Sequence, residues 1–289
     1  MHIIKYKTIF LSVAAVLVVA AWCSVFIFGL QFGIDLKGGT QWIVAFPDGV
    51  SRDAVQTALE PSLSGRTFSV KETESGVFTI RLPESSETDH QIYWVVLQNL
   101  GTFEEQQFSS IGPTIGTELR RGAVTAIILV LFGISAYIAW AFRKVSRPIS
   151  SWKYGFATLI SLFHDVSIPF GFLAFIGAEI DTNIIVALLV VMGFSVHDTI
   201  VVFDRIRENV KTRWNERTSL ADLIDQSIRE TIVRSINTSL TLVLVLVALL
   251  IWGPESLFFF LLALLIGTVF GTYSSIFIAS PLVFLWRGK

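Results

Sequence analysis

Between Ile9 and Leu30 the chain runs for 22 residues without a charged side chain. A helix of that length covers about 30 Å of hydrocarbon, and backbone in lipid must satisfy its own hydrogen bonds, so a spanning helix is the required form. Five further apolar runs follow, Gly122 to Phe142, Gly155 to Gly177, Asn183 to Phe203, Ser235 to Trp252 and Leu257 to Trp286. The expected fold class is therefore an α-helical polytopic membrane protein with six transmembrane helices. A composition 53% hydrophobic and 16% charged, with 24 Phe, places the chain outside the ordinary soluble range. The first run is too long for a signal peptide and no A-x-A-like site follows it, so it reads as a retained anchor. Ser274, Ser275 and Pro281 interrupt the last run, which is expected to kink or leave the bilayer near its end.

Residues 31–118 change character, being polar and holding most of the acidic residues. This segment reads as a water-exposed domain between 1–30, the N-terminus and first span, and 119–289, the five-helix membrane domain. Strands are expected over Thr40 to Phe46, Thr67 to Lys71, Val77 to Leu82 and Glu105 to Ser110, with helices over Ser51 to Leu59, capped by Ser51, and Thr88 to Leu100. The order βαββαβ is ferredoxin-like, a small α+β domain of marginal independent stability at this size. Ahead of the first strand stand Asp35, Gly38 and Gly39, a junction in which glycine permits positive φ or close backbone approach. As a bare pattern it reads as a turn rather than a phosphate or metal loop.

Basic residues then orient the spans. Four flank the second-to-third connection and seven the fourth-to-fifth, so that the basic loops 143–154 and 204–233 and both termini fall on one side, while 178–182 and 253–256 carry none. By the positive-inside rule that side is cytoplasmic and the small domain lies outside. The basic loops also suit contact with anionic lipid. A net charge of -1 says nothing about nucleic acid, because the sum hides this spatial segregation of charge, and no nucleic-acid partner is expected. Cys23, the single cysteine, can form no internal disulfide and reads as a membrane-buried thiol. Four scattered histidines offer no metal-ligand spacing, and no nucleophile elbow or phosphate loop is present, so no metal, cofactor or enzymatic activity is expected.

Charged groups inside the spans carry the functional signal. Asp198 lies roughly 9 Å inside the edge marked by Asp204, Arg205 and Arg207, at 1.5 Å of rise per residue. A carboxylate there costs about 2.5 to 3.5 kcal/mol unless paired, protonated or facing water. His164-Asp165 and His197-Asp198 sit on antiparallel neighbouring spans, so the pairs can meet in a polar track with hydroxyls from Ser161, Ser195 and Thr199. Arg234, at the mouth of the fifth span, offers a counter-charge whose movement would drive proton uptake and release, the elementary step of a relay. The rival reading makes the pairs buried packing devices and lets Arg234 snorkel to the headgroups. The ion path is preferred for Asp198, packing for the histidines, and Asp165 stands between.

Several stretches resemble a known family: GIDLKGGT from Gly33 to Thr40, IGPTIGTELRRGAV from Ile111 to Val124, GFSVHDTIVVFDRIREN from Gly193 to Asn209, RSINTSLT from Arg234 to Thr241, and IGTVFGTYSSIFIASPL from Ile266 to Leu282. The chain is similar over essentially its full length to the SecF family, subunits of the bacterial SecDF protein-export complex within the resistance-nodulation-division superfamily. The third stretch is the most specific, and the small outer domain fits SecF rather than SecD. The resemblance implies a bacterial inner-membrane subunit that requires SecD, works beside the SecYEG translocon and promotes movement of extended preprotein with the proton or sodium motive force. It implies relay roles for Asp198 and Arg234, with a partner Asp on SecD. Leu36 stands where many members have Phe and His197 where many have Asn, which adds a titratable group beside Asp198. The alternatives are a half-subunit of a small-molecule or lipid exporter and a passive scaffold of the export channel.

Overall fold

The computed structural model describes residues 2–47, 49–63, 65–143, 149–214 and 219–286. The chain forms two compact units, one of Phe32–Ala123 and one that combines Met1–Gln31 with Val124–Lys289. The first helix, α1 (Lys7–Phe28), precedes the smaller unit, which contains α2 (Ile34–Lys37), β1 (Gly39–Ala45), α3 (Arg52–Leu63), β2 (Ser69–Glu74), β3 (Val77–Leu82), α4 (Glu87–Gln98), β4 (Glu104–Ile111) and the start of α5 (Pro113–Ala141).

The four strands lie in the order β2-β3-β1-β4, every pair antiparallel, which is the expected ferredoxin-like sheet. Alternation sends Trp42 and Val44 of β1 and Phe78, Ile80 and Leu82 of β3 inward, where Val55 and Leu59 of α3 and Leu97 of α4 complete the core. The β2 strand starts two residues later than Thr67 and runs to Glu74, because its ladder with β3 continues to Glu74 opposite Val77 and the chain reverses through Gly76 at φ 79°. Ser86 caps α4 in a capping box with Asp89.

The glycine junction is a short helix followed by two left-handed residues, Gly38 at φ 84° and Gly39 at φ 125°. Its backbone meets the start of α5 so closely that a Cβ on Gly38 would lie 2.6 Å from Pro113 Cα, and one on Gly116 would lie 2.5 Å from Gly38 N. Two separately conspicuous stretches of sequence, GIDLKGGT and IGPTIG, thus interlock through glycine. The small unit extends to Ala123, beyond the expected limit at 118, because α5 begins at Pro113 without a break.

In the larger unit α1 and α5 are joined by α6 (Ser151–Phe175), α7 (Thr182–Arg213), α8 (Leu220–Trp252) and α9 (Phe258–Ser274). Among the described residues six helices are long and apolar enough to cross a membrane, the sixth counted over Glu255–Leu285. The α6 helix is the hub, with 61% of its most apolar window buried against 6% for the first span. Small residues set the approaches. A Cβ on Gly171 would lie 2.4 Å from Ala21 Cα, bringing α1 against α6, and one on Gly267 would lie 2.3 Å from Val191 Cγ2, bringing α9 against α7. The sixth span breaks near Ser274 and Ser275 as expected, by a π-helical turn over Ser275–Ala279 before α10 (Ser280–Leu285), at whose start Pro281 sits.

The expected basic loop over 204–233 is largely helical instead. Helix α7 continues to Arg213 and α8 begins at Leu220, because Val202, Phe203, Ile206 and Val210 face Leu220, Leu223, Ile224 and Ile228 in a buried apolar seam. Arg205 ties the pair by bonding Glu230 at 2.5 Å, and Asn209 donates to Ser227 at 2.9 Å and to Glu230 at 3.0 Å. In the expected loop 143–154, Ser151 to Tyr154 already belong to α6, while Lys144 and Arg147, like Arg217, lie outside the described residues.

Candidate ion-relay site

Helix α6 places Asp165 at the centre of the larger unit, with no exposed surface. Its Oδ1 lies 2.8 Å from His164 Nδ1, and its Oδ2 accepts from Ser195 Oγ of α7 at 2.5 Å and from Ser274 Oγ at the end of α9 at 2.6 Å. One carboxyl group therefore joins three helices, and each of its oxygens has a hydrogen-bond partner.

A second centre forms around Asp198, one turn along α7 from Ser195 and 2% exposed. Ser239 Oγ of α8 stands 3.4 Å from Asp198 Oδ2 and 2.5 Å from Thr272 Oγ1 of α9, so a hydroxyl chain leads from this carboxylate across two further helices. Packing permits it: a Cβ on Gly271 would come within 3.0 Å of Ser195 Cβ, and glycine there lets the α9 backbone reach α7 between the two centres. Arg234 is exposed on α8, and among the described residues no direct ion pair joins it to Asp198.

The expected track is thus only partly assembled. Asp165, His164 and Ser195 are brought together, as is Asp198 with a hydroxyl. His197 is exposed on the other side of α7, because adjacent residues on a helix point about 100° apart and Asp198 takes the inward direction. Thr199 turns back to the Ser195 carbonyl at 3.1 Å, and Ser161 is buried without a hydrogen-bond partner among the described residues. Asp35, Gly38 and Gly39 belong to the other unit and shape its junction. Sequence reasoning missed Ser239, Thr272 and Ser274; the clustered hydroxyls in RSINTSLT and GTYSS were the available signal. It also missed Asp225, whose buried carboxylate accepts from the Ile4 backbone N–H at 3.0 Å and clasps the N-terminal segment to α8. Among the described residues no group of three or more His, Cys, Asp or Glu is placed to hold a metal ion.

A ferredoxin-like unit inserted after the first of six candidate membrane helices, with hydrogen-bonded carboxylates at the helix core, defines a multi-pass membrane protein, and comparison with known proteins places it in the protein-export class. Residues 93–289 match the family described as protein export membrane protein SecD/SecF, C-terminal, and residues 24–41 match the SecD/SecF GG motif. The chain belongs to the SecF family of protein translocase subunits. It is 40% identical to the SecF of Thermobaculum terrenum, over 99% of this chain and 94% of that protein, and 31% identical to a SecF of Helicobacter pylori, over 97% and 85%. The crystal structure of SecDF from Thermus thermophilus, a translocon-associated membrane protein, superposes with a TM-score of 0.86 at 32% identity over 99% of this chain. This chain spans 38% of that larger one, in which SecD and SecF parts are joined.

Proposed function

We propose that this chain is the SecF half of a SecDF assembly in a bacterial inner membrane, and that it couples ion flow to forward movement of preprotein leaving the SecYEG channel. The observation that carries the reading is Asp198: a carboxylate 2% exposed in the middle of a spanning helix, on a hydroxyl chain, with Arg234 within electrostatic reach. Intramembrane carboxylates mark ion paths. In this scheme Asp198 exchanges the ion, Arg234 biases its charge state, and His164, Asp165 and Ser195 form the supporting polar network, with His197 directed toward a surface that SecD covers. The coupling ion is H⁺ or Na⁺. Either one crossing 100 mV supplies about 2.3 kcal/mol, enough to bias a two-state equilibrium about 50-fold.

The distribution of basic residues supports cytoplasmic termini and an external small domain, which is then positioned to meet extended substrate. The test is export in cells carrying Asp198→Asn or Arg234→Met, with SecF level and SecD co-purification followed in parallel. An export defect of tenfold or more with an intact complex is expected. Unchanged export returns Asp198 to a packing role and favours the passive scaffold.

A further inference from the structure

The face of α6 that carries Asp165 is polar along its whole basic half. Tyr154, Thr158, Ser161 and Asp165 succeed one another at spacings of four, three and four, which puts them in one stripe, and each has no exposed surface. Such a stripe on the most enclosed helix of a membrane bundle would ordinarily be apolar.

Three of its polar atoms have no partner among the described residues: Tyr154 Oη, Ser161 Oγ and, beside Asp165, His164 Nε2. Burying such a group unsatisfied costs about 1 to 3 kcal/mol, and three on one helix within three turns is an expense that packing alone does not explain. Thr158 donates to the Tyr154 carbonyl at 2.9 Å and keeps its lone pairs available as an acceptor. The ladder also has defined ends. At one, His164 presents Nδ1 to Asp165 and keeps Nε2 buried without a partner among the described residues, so a second ring nitrogen is free to meet water. At the other, the Tyr154 ring stacks on Phe142 at 5.1 Å, and the Arg207 guanidinium covers Phe142 at 5.3 Å and pairs with Asp204 in the charged layer.

We propose that the Tyr154–Thr158–Ser161 face of α6 binds a file of internal water that connects Asp165 and His164 to the basic end of the membrane unit. Eleven residues of helix separate Tyr154 from Asp165, about 16 Å, and about 10 Å of that lies between Tyr154 and Ser161. Waters at hydrogen-bond spacing of about 2.8 Å bridge the longer gap with three or four molecules, each held by the orphan hydroxyls. A proton released by the carboxyl of Asp165 passes to the first water as that water passes another on, and nothing is oxidised or reduced. The file lies inside this chain, away from the exposed side of α7 and α8 where His197 and Arg234 stand. Its purpose rests on the ion-coupled reading given above, and its existence does not.

The test is X-ray radiolytic footprinting of the full chain co-purified with its SecD partner. Hydroxyl radicals formed from bound water label adjacent aromatic and histidine side chains, and dry buried ones escape. Tyr93, 3% exposed in the core of the smaller unit, is the internal standard for a buried tyrosine. Tyr154 and His164 are expected to be labelled at least tenfold faster than Tyr93, and Ser161→Leu, which fills the middle of the file, to cut Tyr154 labelling at least threefold while the complex still co-purifies. Labelling of Tyr154 at the rate of Tyr93 overturns the proposal and makes the stripe dry packing. If footprinting succeeds while Asp198→Asn leaves export intact, the water file stands and the ion-coupled function falls; the opposite pair of results removes the file alone.

Discussion

Asp165 accepts from Ser195 and Ser274 and lies against His164, so removing its carboxyl strands three groups at once. Asp165→Leu is expected to destabilise the membrane unit by about 2 to 4 kcal/mol, whereas Asp165→Asn, which keeps an acceptor of the same shape, costs about half as much. Melting of the detergent-solubilised complex, followed by size-exclusion chromatography, measures the order of the two. Both aspartates were legible as charged residues in apolar runs, since the cost of an unpaired carboxylate in lipid makes each conspicuous. Of their partners His164 and Ser195 were legible too, while Ser239, Thr272 and Ser274 were not. Serine and threonine are common in membrane helices and bond their own backbone, as Thr199 and Thr238 do, so the three hydroxyls that reach across helices look like the many that do not. His197 and His164 separate for a similar reason. Each precedes an inward-facing aspartate, yet α6 is enclosed on enough sides to bury both members of its pair, and α7 buries one.

Helix contacts in the membrane unit depend on residues with almost no side chain. At Gly171 an added Cβ would strike the Ala21 backbone at 2.4 Å, and neither helix can yield without shifting along its length. Gly171→Ala should therefore displace α1 from α6 and cost about 1 to 3 kcal/mol, read as a lowered melting temperature of the solubilised complex. The companion substitution Gly122→Ala, at a glycine with open space around it, is expected to have little effect. Hydrophobic run length located the six spans because the bilayer sets a fixed requirement. It placed their ends poorly wherever a helix continues beyond the hydrocarbon, since Arg205 and Arg207 mark the edge of the apolar layer and have no tendency to stop a helix. The amphipathic pattern of LADLIDQSIRETI was the signal that 220–232 is helical.

Across the whole molecule, burial is uneven. The windows of α1 and α5 are 6% and 11% buried, and that of α8 is 17%. On α8, Arg234, Asn237 and Thr241 form an exposed polar line at spacings of three and four, and polar groups facing lipid are costly. A protein partner is the economical cover. Asn237→Trp is expected to lower co-purification of SecD at least fivefold, and Leu129→Trp on the exposed apolar side of α5 to leave it unchanged; equal retention in both places the SecD contact elsewhere. The sequence by itself determined the membrane class, the six spans, the inserted ferredoxin-like unit and the two aspartates, because hydrocarbon thickness, strand alternation and charge desolvation each act on neighbouring residues. Tertiary structure alone decided which hydroxyls serve which carboxylate, that His197 faces outward, and that the polar stripe of α6 is wholly buried. Those outcomes depend on which helix faces meet, and contacts such as Asp165 with Ser274, 109 residues apart, leave no local pattern in the chain.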